Sequence, residues 1–306
     1  KGTSDLLELL RHCTLCPREC GVDRLDGKTG FCGVSGENVR VARAALHHWE
    51  EPCLSGSRGS GAVFFAGCPL RCVFCQNRAI SRGAAGKEIP ISRLAEIFLE
   101  LQEQKAHNLN LVTPTHYVPQ IVLALRLAKE QGLSIPVVFN CGGYEKPETL
   151  RLLEGLVDVW LPDFKYLSGE SSARYSAAPD YPERALAALD EMVRQAGTPV
   201  FDGDGMMVRG VIVRHLLLPG LAKESKKVLR RLRRLYGDRV YVSIMNQYTP
   251  PETGLERFPE IARPVTEEEY DGVVRFAVSI GIENAFIQEG GTVDESFIPP
   301  FNCEGV

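Results

Sequence analysis

The sequence contains no apolar stretch that approaches the ~20 residues needed to span a bilayer. Its first residues, KGTSDLLELLRHC, lack the long apolar segment and the cleavage site of a signal peptide. An excess of basic residues is also missing, because the net charge is -4 and the pI about 6.0. This balance argues against a nucleic-acid partner bound through bulk positive charge. We therefore expect a cytoplasmic protein with neither a membrane nor a nucleic acid as partner.

The composition is that of an ordinary globular protein. The chain has 306 residues, of which 44% are hydrophobic and 24% charged, so it can bury a large core. A glycine-rich stretch at 55–61 separates a cysteine-rich beginning from a longer, more regular remainder. We predict two domains: residues 1–55 as a small metal-binding module and residues 56–306 as a barrel-like α/β domain.

The remainder alternates short apolar runs with amphipathic segments, which predicts βα units and a buried parallel sheet. The predicted strands lie near 62, 109, 136, 157, 208, 239 and 285, and the predicted helices near 91, 118, 147, 182, 222 and 266. About seven strands in roughly 240 residues suit an open or incomplete barrel better than a closed barrel of eight strands.

Ten cysteines are many for a cytoplasmic chain, in which thiols stay reduced, so they indicate metal binding rather than disulfides. Seven of the ten fall into two tight clusters. The first cluster is Cys13, Cys16, Cys20 and Cys32, and the second is Cys68, Cys72 and Cys75.

The second cluster directly follows the first predicted barrel strand. Three thiolates on one loop can bind three irons of a [4Fe-4S] cluster and leave the fourth iron without a protein ligand. Such an open iron can take up a chelating substrate and pass it an electron, which a cluster with four cysteine ligands cannot do. The spacing of Cys68, Cys72 and Cys75 also suits a cubane better than a zinc knuckle, where pairs of CxxC are usual.

This motif, with an aromatic residue just before its last cysteine, resembles that of the radical S-adenosylmethionine (SAM) superfamily. The segments GCPLRCVFCQN, VTPTHYVPQI, VWLPDFKY, VRHLLLPG and MNQYTP resemble more narrowly the uncharacterised branch of the pyruvate formate-lyase activating enzyme family. The resemblance covers almost the whole chain. It implies a partial (β/α)6 barrel with the cluster and SAM at the carboxyl ends of the strands.

Active sites of parallel barrels lie at the carboxyl ends of the strands, and the predicted strands end in polar residues. These candidates are Thr113, Thr115, His116, Asn140, Asp163, Lys165, Arg214, His215, Asn246, Gln247, Gln288 and Glu289. Such a density of polar groups suits a buried polar ligand. A local hydrogen bond or helix cap is the alternative role of each, and for His116 a structural role competes with acid or base catalysis.

The resemblance implies individual roles for several of them. Lys165 is expected at the methionyl carboxylate of SAM, and Arg214 at the carboxylate or ribose side. Phe74 is expected beside the adenine. Asn140 and Asp163 are expected to order the pocket.

Two departures from the family pattern affect these expectations. The family commonly has Gly-Gly-Glu-Pro after its second strand to receive the methionyl amino group, whereas this chain reads VTPTH. We therefore expect Thr113 or Thr115, with backbone carbonyls, to make that contact. The positions of Asn140, Cys141, Leu161 and Asp163 match a monovalent cation site, but Asn140 stands where aspartate is usual, so the cation stays open.

The amino-terminal set of Cys13, Cys16, Cys20 and Cys32 supplies four thiolates. A closed site of this kind is usually structural zinc. The short step from Cys16 to Cys20 also suits an auxiliary iron-sulfur cluster or a single iron. Both metals, and no metal, stay open, and we expect the site to be structural because so short a segment has little core of its own.

These observations predict a radical SAM enzyme of oxidoreductase type. It would cleave SAM reductively to a 5′-deoxyadenosyl radical that abstracts hydrogen from a substrate. The resemblance implies a reductant protein such as flavodoxin or ferredoxin, and it favours a glycyl-radical enzyme as substrate. Modification of another protein and attack on a small metabolite remain open. The alternative is a non-enzymatic iron-sulfur protein that carries electrons or senses redox state.

Overall fold

Seven parallel strands form the centre of the fold in this computed structural model, which describes residues 2–82, 85–288 and 298–306. The strands are β1 (Val39–His47), β2 (Ser60–Phe65), β3 (Lys87–Ile89), β4 (Leu109–Val112), β5 (Val137–Cys141), β6 (Val159–Pro162), β7 (Val200–Phe201), β8 (Met207–Leu216), β9 (Tyr241–Met245) and β10 (Ala285–Ile287). Their order is β10-β9-β8-β6-β5-β4-β2-β1-β3, with β7 paired to β8. Pairing from β2 through β10 along this order is parallel, and β1 pairs antiparallel with β2 and β3.

Ten helices accompany the strands in the described part of the chain, and the longer ones cover the sheet between successive parallel strands. They are α1 (Thr3–Leu7), α2 (Pro52–Ser55), α3 (Arg78–Ser81), α4 (Ile91–Glu103), α5 (Val118–Glu130), α6 (Pro147–Leu150), α7 (Gly169–Ser176), α8 (Tyr181–Ala196), α9 (Ala222–Tyr236) and α10 (Glu267–Ser279). Short 3-10 turns cover Glu8–Leu10, Thr115–Tyr117, Arg151–Leu153, Gly237–Arg239 and Pro259–Ile261. No helix among the described residues has both the length and the apolar character needed to cross a membrane.

The prediction of an incomplete α/β barrel is confirmed. Six strand-helix units, which begin at β2, β4, β5, β6, β8 and β9, are followed by the last strand β10. The sheet does not close, because β3 and β10 stand at opposite ends of the strand order. All seven predicted strands and all six predicted helices are present. α10 begins with a capping box, in which the backbone amide of Glu269 donates to Oγ1 of Thr266 over 3.2 Å.

Strand residues alternate between the helix layer and the barrel interior, because successive side chains of a strand point to opposite faces. In β2, Val63 and Phe65 belong to the main core with the helices. Ala62 and Phe64 belong to a smaller interior cluster. The alternation therefore leaves the interior face of the strands free to form a site.

The segment before β2 is integrated with the barrel. β1 pairs with β2 in the same sheet. In α2, Cys53 and Leu54 are buried in an interior cluster with strand residues such as Val138 and Ile212. Residues 39–55 thus share the sheet and the interior with the barrel strands, and the division into 1–55 and 56–306 stays a prediction.

Candidate active site

The CxxxCxxC motif lies on the loop that follows β2. Cys68, Cys72 and Cys75 all line one cavity of about 210 Å³ at the carboxyl ends of the parallel strands. The loop begins at Gly67, which has a φ of +85°. A Cβ atom there would lie 2.7 Å from the carbonyl oxygen of Cys32 and 2.7 Å from Cγ1 of Val34. Only glycine fits this conformation and this close approach, so the loop packs directly on the amino-terminal segment.

The chemistry of these thiols suits a cluster. Burial raises the pKa values of Cys68 and Cys72, neighbouring cysteines raise them further, and the Lys165 ammonium lowers both. The thiols must therefore release protons when they bind metal. No three Cys, His, Asp or Glu side chains of the described residues gather around a single metal ion. A cubane does not require this, because each thiolate binds a different iron.

Several of the candidates for binding the cofactor line the same cavity. Among them are Phe74, Thr113, Asn140, Asp163, Lys165 and Arg214. Asn246 is not among the lining residues, whereas its neighbour Gln247 is. The backbone N–H of Asn246 donates to Oε1 of Gln288 over 2.7 Å. Glu289 lies outside the described residues.

Lys165 connects the cysteine loop to the strand ends. Its ammonium pairs with the Asp163 carboxylate and lies 5.9 Å from the centroid of the Phe74 ring. Burial alone would lower the pKa of Lys165, but Asp163 and Cys72 raise it well above its ordinary value. Lys165 is therefore a permanent cation beside the three thiols.

A short hydrogen-bond chain supports Cys72 from behind. Oγ of Ser176 lies 3.0 Å from Sγ of Cys72 and 3.0 Å from the Tyr166 hydroxyl. Ser176 and Tyr166 are buried. A hydroxyl at this distance can donate to a thiolate and stabilise its charge.

Arg214 has unexpected partners. Its guanidinium pairs with Glu50 and binds both oxygens of Glu51, with Nε and Nη2 at 2.9 and 2.8 Å. Burial alone would lower the pKa of Arg214, but the two carboxylates raise it. Glu50 and Glu51 are not among the predicted site residues. A pair of acidic residues just before the apolar segment of α2 was the available signal, but the sequence does not reveal their partner.

The two threonines after β4 differ in environment. Thr113 has a φ of +59°, and its amide donates to the carbonyl of Asn140 over 2.8 Å. The Thr115 hydroxyl donates to Oε1 of Glu145 over 2.9 Å. Burial raises the pKa of Glu145 to about 7. Thr115 is therefore already engaged, and Thr113 is the better candidate for a ligand contact.

His116 lies behind the cavity and is not among the residues that line it. Its Nε2 lies 2.8 Å from the carbonyl oxygen of Ala66, next to the cysteine loop. Burial lowers the pKa of His116 to about 3, so the ring is neutral at physiological pH. This environment favours a structural histidine that supports the loop.

The amino-terminal cysteines lie close enough to influence each other. Burial raises the pKa of Cys16 to about 12, and Cys32, Cys13 and Cys20 act in the same direction. Sγ of Cys20 accepts the amide of Phe31 over 3.3 Å. The side chains are not gathered around one ion in the described structure, so the identity of a metal here stays a prediction.

Comparison with known proteins agrees with this geometry. The sequence profile described as Radical SAM superfamily matches residues 62–232. A curated relative, Uncharacterized protein MJ0674 of Methanocaldococcus jannaschii, is 29% identical over 285 residues, which cover 90% of this chain and 77% of that protein.

Solved structures share the fold. Streptococcus suis SuiB bound to S-adenosylmethionine matches with a TM-score of 0.50 and 13% identity over 76% of this chain and 50% of that one. The FeFe-hydrogenase maturase HydG of Carboxydothermus hydrogenoformans matches with a TM-score of 0.50 and 10% identity over 78% of this chain and 55% of that one. The chain thus spans about half the length of these solved structures. At these identities the likeness shows the fold alone.

Proposed function

This chain belongs to the radical SAM superfamily, and from that premise we propose that Cys68, Cys72 and Cys75 hold its [4Fe-4S] cluster. When bound, the cluster supplies the electron that splits SAM into methionine and a 5′-deoxyadenosyl radical, which takes a hydrogen atom from the substrate. The observation that carries the proposal is that the three thiols, Lys165 and Asn140 line a single cavity. An electron carrier has no need for such polar strand ends around its cluster.

The residues of the cavity divide the binding of SAM among them. Lys165, which pairs with Asp163, provides the cation for the methionyl carboxylate. The Phe74 ring offers an apolar face for the adenine. Asn140 orders the pocket wall, and the exposed polar edge of Thr113 serves the methionyl amino group. For Asn246, which does not line the cavity, a contact with SAM would require the loop after β9 to move.

The amino-terminal cysteines are proposed to hold a second, closed centre of structural zinc or auxiliary iron. Its four thiols influence one another through space, and the segment packs on the catalytic loop. Such a centre supplies folding energy to a segment with little core of its own. A monovalent cation beside Asn140, Cys141, Leu161 and Asp163 stays open.

We propose a protein substrate, with a glycyl-radical enzyme as the leading case, because the motifs resemble the activating enzyme family. The shared fold with SuiB, which has also been solved with its precursor peptide SuiA, is compatible with a polypeptide target. A flavodoxin or ferredoxin is proposed as the reductant, since the reaction consumes one electron for each SAM cleaved.

EPR spectroscopy tests the open iron site. The reduced cluster of anaerobically reconstituted protein should give a spectrum that changes when SAM is added, because SAM occupies the fourth iron. An indifferent spectrum would identify a cluster without a vacant site and thus an electron carrier or redox sensor.

Isotope transfer tests the class of substrate. Host extract from cells grown in deuterated medium is separated into a protein fraction and a low-mass fraction, and each is incubated with the protein, SAM and reductant. Deuterium in the 5′-deoxyadenosine should come from the protein fraction. Deuterium only from the low-mass fraction would contradict a protein target.

A further inference from the structure

The segment between β1 and β2 covers the end of the barrel that lies opposite to the cysteine loop. β1 runs antiparallel to β2, and His47 pairs with Ser60, so residues 48–59 lie where β2 begins. From there α2 enters the interior, where Cys53 and Leu54 are buried. The Glu50 amide donates to Oγ of Ser55 over 2.9 Å, which fixes the turn into α2. We call residues 48–59 the plug.

Two buried carboxylates of the plug share one cation. The side chains of Glu50 and Glu51 are 6% and 5% exposed, and both pair with Arg214. Glu51 takes two hydrogen bonds from the guanidinium. Burial alone would raise the pKa of Glu51, but Arg214 lowers it. The two carboxylates thus share the single positive charge of Arg214.

Only one of these two carboxylates reaches the cavity. Glu50 lines it together with Cys68, Cys72 and Lys165, whereas Glu51 is not among the lining residues. Nδ2 of Asn110 donates to Oε1 of Glu50 over 2.9 Å, and Nδ2 of Asn140 lies 3.5 Å from the same oxygen. Lys165 also lines the cavity, and the carboxylate that it pairs with is Asp163. Because one guanidinium serves two carboxylates, the carboxylate that Glu50 presents to the cavity favours a ligand with hydrogen-bond donors or a positive charge.

We infer that Glu50 binds SAM directly, by accepting hydrogen bonds from its ribose hydroxyls or its methionyl ammonium, and that Arg214 is a positioning residue that holds Glu50. This inference rests on the proposed function, since it requires SAM in this cavity. Glu50 lies outside residues 62–232, the part of the chain that matches the superfamily profile. Glu50 also offers a hydrogen-bond acceptor in a chain that reads VTPTH at the end of β4, where the family commonly has Gly-Gly-Glu-Pro.

Equilibrium binding of SAM to anaerobically reconstituted protein tests the inference, with Glu50→Gln compared with Glu51→Gln. Both variants remove a carboxylate from Arg214, but only Glu50→Gln removes a carboxylate that itself lines the cavity. Loss of one charge-assisted hydrogen bond predicts a Kd for SAM at least about tenfold higher in Glu50→Gln and within about threefold of wild type in Glu51→Gln. If Glu50→Gln does not fold, Glu50→Asp, which keeps the charge but withdraws it from the cavity, should raise the Kd in the same way.

Two fragments of SAM show which group Glu50 receives. Weaker binding of 5′-deoxyadenosine to Glu50→Gln assigns the ribose, and weaker binding of methionine assigns the ammonium. Either result supports the inference. Wild-type affinity in Glu50→Gln, or equal losses in both variants, would overturn it while leaving the proposed function intact. Failure of the wild-type protein to bind SAM would contradict the proposed function itself.

Discussion

Nε of Arg18 donates to the carbonyl oxygen of Pro69 over 2.8 Å, and this bond joins the segment of the amino-terminal cysteines to the loop of Cys68. Nη1 of the same guanidinium donates to the carbonyl oxygen of Ala177 over 2.6 Å. Cζ of Arg18 lies 3.8 Å from the centroid of the Phe31 ring. One side chain between Cys16 and Cys20 thus contacts both the loop of Cys68 and the helix that supports Cys72. The position of the loop therefore depends on the amino-terminal segment.

Replacement of Arg18 by alanine should destabilise the protein. It removes the bond to Pro69 and the stacking on Phe31, which together are worth about 1 to 3 kcal/mol in the free energy of unfolding. Arg11→Ala is the control, because Arg11 is 56% exposed and pairs on the surface with Glu8, so its loss should cost less than about 1 kcal/mol. Urea unfolding of both variants measures the difference, and equal costs would contradict the role given to Arg18.

Replacement of Cys16 by alanine should lower the stability and yield of the protein, because it removes a ligand of the metal proposed at the amino-terminal cysteines and with it the folding energy that metal binding supplies. Any soluble product should retain some SAM cleavage. Thermal unfolding measures the stability, iron and zinc analysis measures the metal content, and 5′-deoxyadenosine formation measures SAM cleavage. A Cys16→Ala variant that folds well but loses all turnover would show that this centre relays electrons.

Lys165→Ala should weaken SAM binding by about tenfold to a hundredfold, since a buried charge-assisted bond is worth about 1.5 to 3 kcal/mol. The cluster should still assemble, because the three cysteines remain. Lys223→Ala, at an exposed lysine of α9, is the matched control and should bind SAM like the wild type. Unchanged SAM affinity in the Lys165 variant, with a normal iron content, would exclude Lys165 from the binding site.

Glu145 predicts a specific dependence of stability on pH. Burial raises its pKa from 4.5 to about 7 in the folded protein. Between these values the folded state holds more protons than the unfolded state, so stability falls as pH rises, by about 3 kcal/mol in total, and then levels off. Glu145→Gln cannot ionise, so its stability relative to wild type should rise over this interval.

Urea unfolding at pH values from 4.5 to 8 measures this difference. Glu148→Gln, which changes an exposed carboxylate three residues along the chain, should keep a constant difference from the wild type. The same pH profile for both variants would contradict the assignment of the shift to Glu145.

Most of the fold could be predicted from the sequence, because the apolar runs that indicate strands and the amphipathic segments that indicate helices are both clear in this chain. β2 is buried at every position and apolar from Ala62 to Phe65, as expected of a strand that is covered on both faces. α10 carries its own start signal in Thr266 and Glu269. The carboxyl-end rule for parallel strands was enough to place Asn140, Lys165 and Arg214 near the three cysteines.

The long-range partners of these residues could not be predicted. Arg214 and Glu51 are 163 residues apart, and their pairing depends on the return of the plug into the barrel. The same limit applies to Ser176, which reaches Cys72 across 104 residues. Residues at the ends of strands also differ in the side that they face. Asn246 therefore follows the end of β9, as the rule for parallel strands requires, and still does not line the cavity.

The central claim is most directly tested by measuring 5′-deoxyadenosine after anaerobic incubation of reconstituted protein with SAM and dithionite, beside a Cys72→Ala control. Cys72 is half-buried and lines the cavity, so its replacement should spare the fold while removing one iron ligand. We predict that the wild-type protein forms 5′-deoxyadenosine and methionine in equal amounts and that Cys72→Ala forms none. Wild-type product no greater than that of the Cys72→Ala control would contradict the account.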